Sequence, residues 1–191
     1  MNKRIPKTGI EIARLFETFH TENSEKLQTL VTRLVGTFTG GGRLLVAAGG
    51  NLQPIAQMTA SHFTNRLGFD RPSLPAVALG ADATLAASLA RSNQQQLLLA
   101  RHYRSLGSNN HLLLLLSDGA ADPQLTELVR IAKDDQPLAL LTPRKNTDPE
   151  LSGCTDLQLL IDTDSPARLL ELSLFCGNLL CELVEAELFG V

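Results

Sequence analysis

Cysteine is scarce in this sequence, and positive charge is not in excess. The 191 residues include three cysteines, Cys154, Cys176 and Cys181, and the last two lie at i and i+5 of an apparent helix. This spacing fits neither a disulfide framework nor a zinc site, so we expect the cysteines to be small core residues. The formal net charge is −3, which offers no electrostatic basis for direct binding of nucleic acid.

Long apolar runs are also lacking. The N-terminal MNKRIPKTGI is mildly basic but has no apolar signal-peptide core, and charged residues interrupt the leucine-rich tracts before they reach membrane-spanning length. We therefore expect a cytoplasmic protein with no membrane contact. With 43% hydrophobic and 19% charged residues, the chain suits one domain with a sizeable core, or one domain with a helical extension.

Short apolar runs alternate with segments of helical periodicity along most of the chain. Such runs are typical of strands buried on both faces, and the intervening helices supply the crossovers that parallel strands require. The pattern therefore predicts an α/β fold with a doubly wound parallel sheet and helices on both faces. The candidate strands are Arg43–Ala47, Pro75–Leu79, His111–Leu116, Leu138–Leu141 and Leu157–Ile161.

Apolar positions with helical spacing precede the first candidate strand, from Gly9 to Phe38. They predict two helices, or one bent helix, packed outside the sheet. We therefore divide the chain into an N-terminal helical segment at 1–39, with a role in oligomerisation, and a domain at 40–191.

The stretch LLVAAGGNLQPIAQM, residues 44–58, reads as a buried strand followed by a glycine turn and a helix. The free N–H groups and the dipole of a helix N-terminus favour an anion, phosphate above all. However, no Lys, Ser or Thr lies between Gly49 and Gln57, and the third glycine of a dinucleotide fingerprint is missing. Asn51 suits an N-cap and Pro54 a first helical turn. Both a tight turn and a ligand site remain open.

A second turn, SDGAADP, follows the candidate strand that ends at Leu116. Asp122 is placed to cap a helix opened by Pro123. Because Asp118 and Asp122 stand where a phosphate would dock, their carboxylates would repel it. Two aspartates without further oxygen ligands make a weak metal site. The alternative to a ligand site is a purely structural role, in which Asp118 and Asp122 cap a helix and form the turn.

Two further segments carry a resemblance to a known family. NRLGFDRPSLPAVAL, residues 65–79, and ARLLELSLFCGNLLCELVEAELFG at the end resemble the sugar isomerase (SIS) domain family, within it the phosphoheptose isomerases and their relative DiaA, which associates with the replication initiator DnaA. RPSLPA is the most specific match. The resemblance implies a flavodoxin-like five-stranded parallel sheet, an N-terminal helical extension, and a homotetramer with phosphosugar sites near subunit interfaces.

The chain differs from this family at the positions that bind phosphate and zinc in the isomerases. The family's GNGGS or GNGTS turn is replaced by Ala48–Leu52, and of its STSGNS loop only Ser117 keeps a hydroxyl. At the isomerases' zinc positions stand Met58, His62, Leu170 and Asn178. We therefore expect no catalytic residue, no metal and no cofactor. What remains is a degenerate phosphosugar site made of Gly49, Gly50, Asn51, His62, Ser117, Asp118, Gly119 and Asp122.

Three hypotheses for the function follow. The preferred one is a catalytically inactive, DiaA-like regulatory protein that binds DnaA through Leu188 and Phe189, in the terminal EAELFGV. The second is a module that still binds a phosphosugar or another polar metabolite through backbone N–H groups and Asn51. The third is a phosphoheptose (sedoheptulose 7-phosphate) isomerase with an altered active site.

The last predicted helix is apolar on more sides than one core requires, so we expect its excess face to pack on another subunit. The expected assembly is a homotetramer, as the resemblance also implies. The residues concerned are Leu169, Leu170, Leu172, Leu174, Phe175, Leu179, Leu180, Leu183 and Val184.

Overall fold

The computed structural model describes residues 4–107 and 110–190, which form seven α-helices and five β-strands. The strands are β1 (Leu44–Ala48), β2 (Ala76–Ala78), β3 (Leu112–Leu116), β4 (Leu138–Pro143) and β5 (Leu157–Ile161). The helices are α1 (Arg4–Thr39), α2 (Gln53–Thr64), α3 (Ala83–Arg91), α4 (Leu98–Ser105), α5 (Pro123–Ala132), α6 (Pro149–Gly153) and α7 (Pro166–Phe189).

All neighbouring strands are parallel, in the order β2-β1-β3-β4-β5. The chain moves from β1 to one edge with β2 and then returns to the other side of β1 with β3. The boundary between β1 and β3 is therefore the topological switch point, where doubly wound sheets hold their ligands. This arrangement confirms the predicted α/β fold.

One hydrophobic core lies between the sheet and the helices α1, α2 and α7. Alternate residues of β1, namely Leu44, Val46 and Ala48, face this side. Helical periodicity brings one stripe of each helix against them. The fully buried helical side chains include Phe19, Leu27, Leu30, Val31, Leu34, Ala56, Phe63, Leu172, Cys176, Leu180 and Val184.

A second core fills the opposite face of the sheet. The other residues of β1, Leu45 and Ala47, contribute to it together with Leu113 and Leu115 of β3. Helices α4, α5 and α6 cover these side chains with Leu99, Tyr103, Leu125, Leu128, Val129, Ala132 and Leu151. Both faces of the central strands are thus buried, which explains why these strands read as continuous apolar runs.

The N-terminal segment forms one helix of 36 residues, the single-helix form of the prediction. Phe19 and Leu30 of this helix are buried against the sheet and α7. The side chain of Asn23 binds the backbone of β5 with both its amide groups, donating to Leu160 O at 3.1 Å and accepting from Leu160 N at 3.1 Å. The helix is therefore anchored to the edge of the sheet.

Helices α2 and α7 cross at close range because a glycine occupies the contact. A Cβ atom built on Gly177 of α7 would lie 2.3 Å from Oγ1 of Thr59, a buried residue of α2. Only glycine leaves room for the Thr59 side chain. This crossing fixes the distance between the two helices that carry the expected zinc positions.

None of the helices within residues 4–107 and 110–190 has the length and apolar character needed to cross a lipid bilayer.

Candidate functional site

The carboxyl ends of β1 and β3 bring the two predicted turns next to each other. We call the space between residues 49–52 and 117–122 the switch-point crevice. Gly49 follows β1 directly, and its N–H donates to Leu116 O of β3 at 3.2 Å. The glycine turn and the SDGAAD loop therefore meet at the place where this fold class binds ligands.

The first turn enters α2 through a short 3₁₀ helix, Gly50–Leu52. Gly50 has φ +48°, which favours glycine at this position. The prediction that Asn51 caps α2 is wrong, since the N-cap is Leu52 and no side chain caps the helix there. Asn51 already lies within the 3₁₀ turn and is exposed, so its side chain does not reach the N–H groups of α2.

The SDGAAD loop is held by its own side chains. Ser117 Oγ accepts a hydrogen bond from Gly119 N at 3.0 Å, and Asp118 Oδ1 accepts one from Ala120 N at 3.0 Å. Gly119 has φ +86°, and a Cβ there would lie 1.8 Å from Asn146 O, so only glycine fits. The loop thus uses two of its N–H groups internally.

Asp122 is the N-cap of α5, as the sequence predicts. Its Oδ1 accepts from Gln124 N at 2.8 Å and from Leu125 N at 3.3 Å. The other carboxylate oxygen, Oδ2, faces the first turn, and a Cβ built on Gly49 would lie 2.4 Å from it. The carboxylate of Asp122 therefore lies inside the switch-point crevice, against the backbone of Gly49.

His62 contacts α7 rather than the switch-point crevice. Its Nδ1 lies 3.0 Å from Oδ1 of Asn178, so two of the expected zinc positions meet across the α2–α7 crossing. Both side chains are half-buried. No local sequence pattern reveals this contact, because the two residues are 116 positions apart. Met58 is 43% exposed one turn before His62, and Leu170 packs against the first core.

These four positions do not fit zinc. Zinc in proteins takes thiolate, imidazole or carboxylate ligands, and here only His62 supplies one. Within residues 4–107 and 110–190, no three His, Cys, Asp or Glu side chains cluster as a metal site would require. The cysteines Cys176 and Cys181 are buried, and burial raises the pKa of each thiol to about 12. Neither thiol is therefore a ready ligand or nucleophile.

A buried ion pair that sequence reasoning missed stabilises the RPSLPA loop. Arg71 Nε donates to Glu185 Oε1 of α7 at 2.6 Å, and the two side chains are 0% and 4% exposed. The guanidinium also donates to Phe63 O at 2.8 Å and to His62 O at 2.9 Å. The sequence signal that pointed to this loop was the match of RPSLPA to the family, which is the most specific one in the chain.

The C-terminal end of α7 is more buried than the sequence suggests. Glu185 is 3% exposed and pairs with Arg71. Leu188 and Phe189 are half-buried and pack against the first core. The ring of Phe189 meets that of Phe69 edge to face, with centroids 6.0 Å apart.

Comparisons with known proteins agree with this architecture. No protein-family model matches the chain. The chain is 24% identical to a phosphoheptose isomerase of Thermodesulfovibrio yellowstonii over 98% of its length and 93% of that protein. It is 28% identical to one of Desulfovibrio desulfuricans over 93% of its length and 84% of that protein.

The solved structure of a phosphoheptose isomerase from Francisella tularensis superposes with a TM-score of 0.86 at 20% identity, over 95% of this chain and 96% of that one. The chain is similar to the phosphoheptose isomerases and has the SIS fold. The similarity extends over nearly the whole chain, so it includes the N-terminal helix, the crevice and α7. The departures that the resemblance implies at Met58, Leu170 and Asp122 therefore lie within a shared fold.

Proposed function

We propose that this SIS-fold protein is catalytically inactive as an isomerase and acts by binding another protein, in the manner of DiaA. The observation that carries the proposal is that His62 pairs with Asn178 across the α2–α7 crossing, while Met58 and Leu170 stand at the other two expected zinc positions. Moving a carbonyl along a sugar requires a base near an acidic C–H and an electrophile for the enediolate. Met58 and Leu170 supply neither.

The end of α7 supports a protein-binding role. Leu188 and Phe189 are half-buried, so each leaves part of its apolar surface open beside Phe69. Binding interfaces are commonly centred on an aromatic or aliphatic anchor that fills a pocket on the partner. The resemblance to DiaA makes DnaA the first partner to test. Several copies in an oligomer would add avidity to a weak contact.

An assay with sedoheptulose 7-phosphate, with and without zinc, tests the absence of catalysis. We expect no turnover above the protein-free rate, because loss of a single acid, base or electrophile costs about a hundredfold or more. An active phosphoheptose isomerase under the same conditions is the positive control. A turnover that scales with protein concentration and disappears in His62→Ala would support the altered isomerase instead.

Binding to purified DnaA tests the partner. Leu188→Ala and Phe189→Ala should each weaken binding about tenfold or more, as expected for anchor residues. Ile131→Ala is the matched control, because Ile131 is a half-buried apolar residue of α5 on the opposite face of the sheet. Circular dichroism and light scattering confirm that fold and oligomeric state are unchanged. Equal binding by all variants, or none by the parent, would contradict this role for the pair.

A further inference from the structure

The switch-point crevice already contains an anion supplied by the protein itself. Asp122 caps α5 with Oδ1 and directs Oδ2 at the backbone of Gly49, where a Cβ would come within 2.4 Å of it. The carboxylate thus stands at the start of α5 and beside the turn that leads into α2. These are the two positively polarised ends that a bound phosphate would use.

The N–H groups near this carboxylate are engaged by the loop's own side chains. Ser117 and Asp118 accept from Gly119 N and Ala120 N, both at 3.0 Å. Asp122 accepts from Gln124 N and Leu125 N, at 2.8 and 3.3 Å. An incoming phosphate would have to displace these bonds and would also meet the fixed negative charge of Asp122.

We infer that Asp122 determines the ligand specificity of the crevice: its carboxylate takes the place of an external anion and excludes phosphate groups. The inference concerns the crevice and not the α2–α7 crossing or the end of α7. It therefore holds whichever protein the chain binds, and its test measures phosphate binding rather than partner binding.

Two substitutions separate the charge of Asp122 from its bulk. Asp122→Asn removes the charge and keeps the shape, whereas Asp122→Ser removes both and vacates the space beside Gly49. Asn and Ser both cap helices well, so α5 should persist in each variant. Asp82→Asn is the matched control, because it removes the same charge from the N-cap of another helix, α3, outside the switch-point crevice.

Titration calorimetry and thermal shift with inorganic phosphate and with sedoheptulose 7-phosphate provide the test, in buffers matched in ionic strength with chloride. We expect the parent and Asp82→Asn to bind neither probe at millimolar concentration. Asp122→Ser should bind at least about tenfold more tightly than the parent, and Asp122→Asn should gain less because its amide still fills the crevice.

Three results would overturn the inference. The first is a parent that binds either probe as tightly as Asp122→Ser, which would show that the carboxylate is no barrier. The second is a gain in affinity in Asp82→Asn as large as that in Asp122→Ser, which would assign the effect to net charge alone. The third is binding by both Asp122 variants, shown to be folded by circular dichroism, that is no tighter than binding by the parent.

Discussion

At the scale of single residues, Arg71 shows how a buried charge is stabilised in this protein. Its Nη1 donates to Phe63 O at 2.8 Å and Pro72 O at 3.0 Å, while its Nε pairs with Glu185 at 2.6 Å. Glu185 Oε1 also accepts from the thiol of Cys181 at 3.6 Å. Removing water from two charges is costly, and this geometry offsets the cost through nearly complete hydrogen bonding.

Removing either partner should therefore leave the other charge buried and unpaired. Arg71→Ala should lower the free energy of unfolding by about 3–5 kcal/mol, measured by urea denaturation. The control is Arg66→Ala, because Arg66 and its partner Asp70 are 53% and 90% exposed. That exposed pair should contribute less than about 1 kcal/mol. Equal losses for the two arginine variants would contradict the account of the buried pair.

His111 makes stability depend on pH. It is 6% exposed at the start of β3, and burial lowers the pKa of its imidazole below the ordinary value. The unfolded chain therefore binds the proton more readily than the native protein. The contribution of neutral His111 to the free energy of unfolding is fully present above about pH 6.5, the pKa of the unfolded chain. This contribution decreases as the pH falls below that value.

His111→Leu should flatten this dependence, with the proton uptake on unfolding reduced by up to about one proton between pH 7 and 5. Denaturation midpoints across that pH range measure it. His20→Gln is the control, because His20 is exposed on α1. A slope that is unchanged in His111→Leu, or that changes as much in His20→Gln, would refute the assignment.

At the scale of elements, local sequence patterns were sufficient to predict the strands of the sheet. The five predicted strands match the five observed ones, with ends that differ by no more than two residues. The central strands β1 and β3 are buried, continuous apolar runs, which makes them plain in the sequence. Asp122 was predictable as a cap since the signal is local. The contacts that define the site are not local: His62 meets Asn178 across 116 residues, and Arg71 meets Glu185 across 114. No spacing rule in one sequence reveals such pairs.

The α2–α7 crossing carries a prediction of its own. Gly177→Ala should destabilise the protein by about 1–3 kcal/mol, since the new methyl group would overlap Thr59 Oγ1, only 2.3 Å away. Adding Thr59→Ala should recover part of the loss, because it removes the nearest atom. Gly36→Ala in α1 is the control: a Cβ there meets nothing within 4 Å, so it should stabilise by up to about 1 kcal/mol. A stabilising Gly177→Ala would contradict the tight crossing.

At the scale of the whole molecule, several apolar side chains on the helices around the first core remain partly exposed. One side of α7 is buried through Leu172, Leu180 and Val184, whereas Leu174 and Leu183 remain half-buried on the same helix. Among the described residues, the large hydrophobic side chains that are exposed are Ile10 of α1, at 71%, and Met58 of α2, at 43%. All these residues belong to the helices of one face of the sheet, so we propose that this face forms the subunit contact.

A homotetramer should therefore form at micromolar concentration, and light scattering coupled to gel filtration measures it. Ile10→Glu and Met58→Glu should each shift the protein towards smaller species, because a buried carboxylate at a contact lacks a partner. Their exposure leaves the fold of the monomer intact, which circular dichroism checks. Lys133→Glu, at the end of α5 on the opposite face of the sheet, should leave the tetramer unchanged. A monomeric parent would refute the assembly, and a tetramer insensitive to both glutamates would place the contact on another surface.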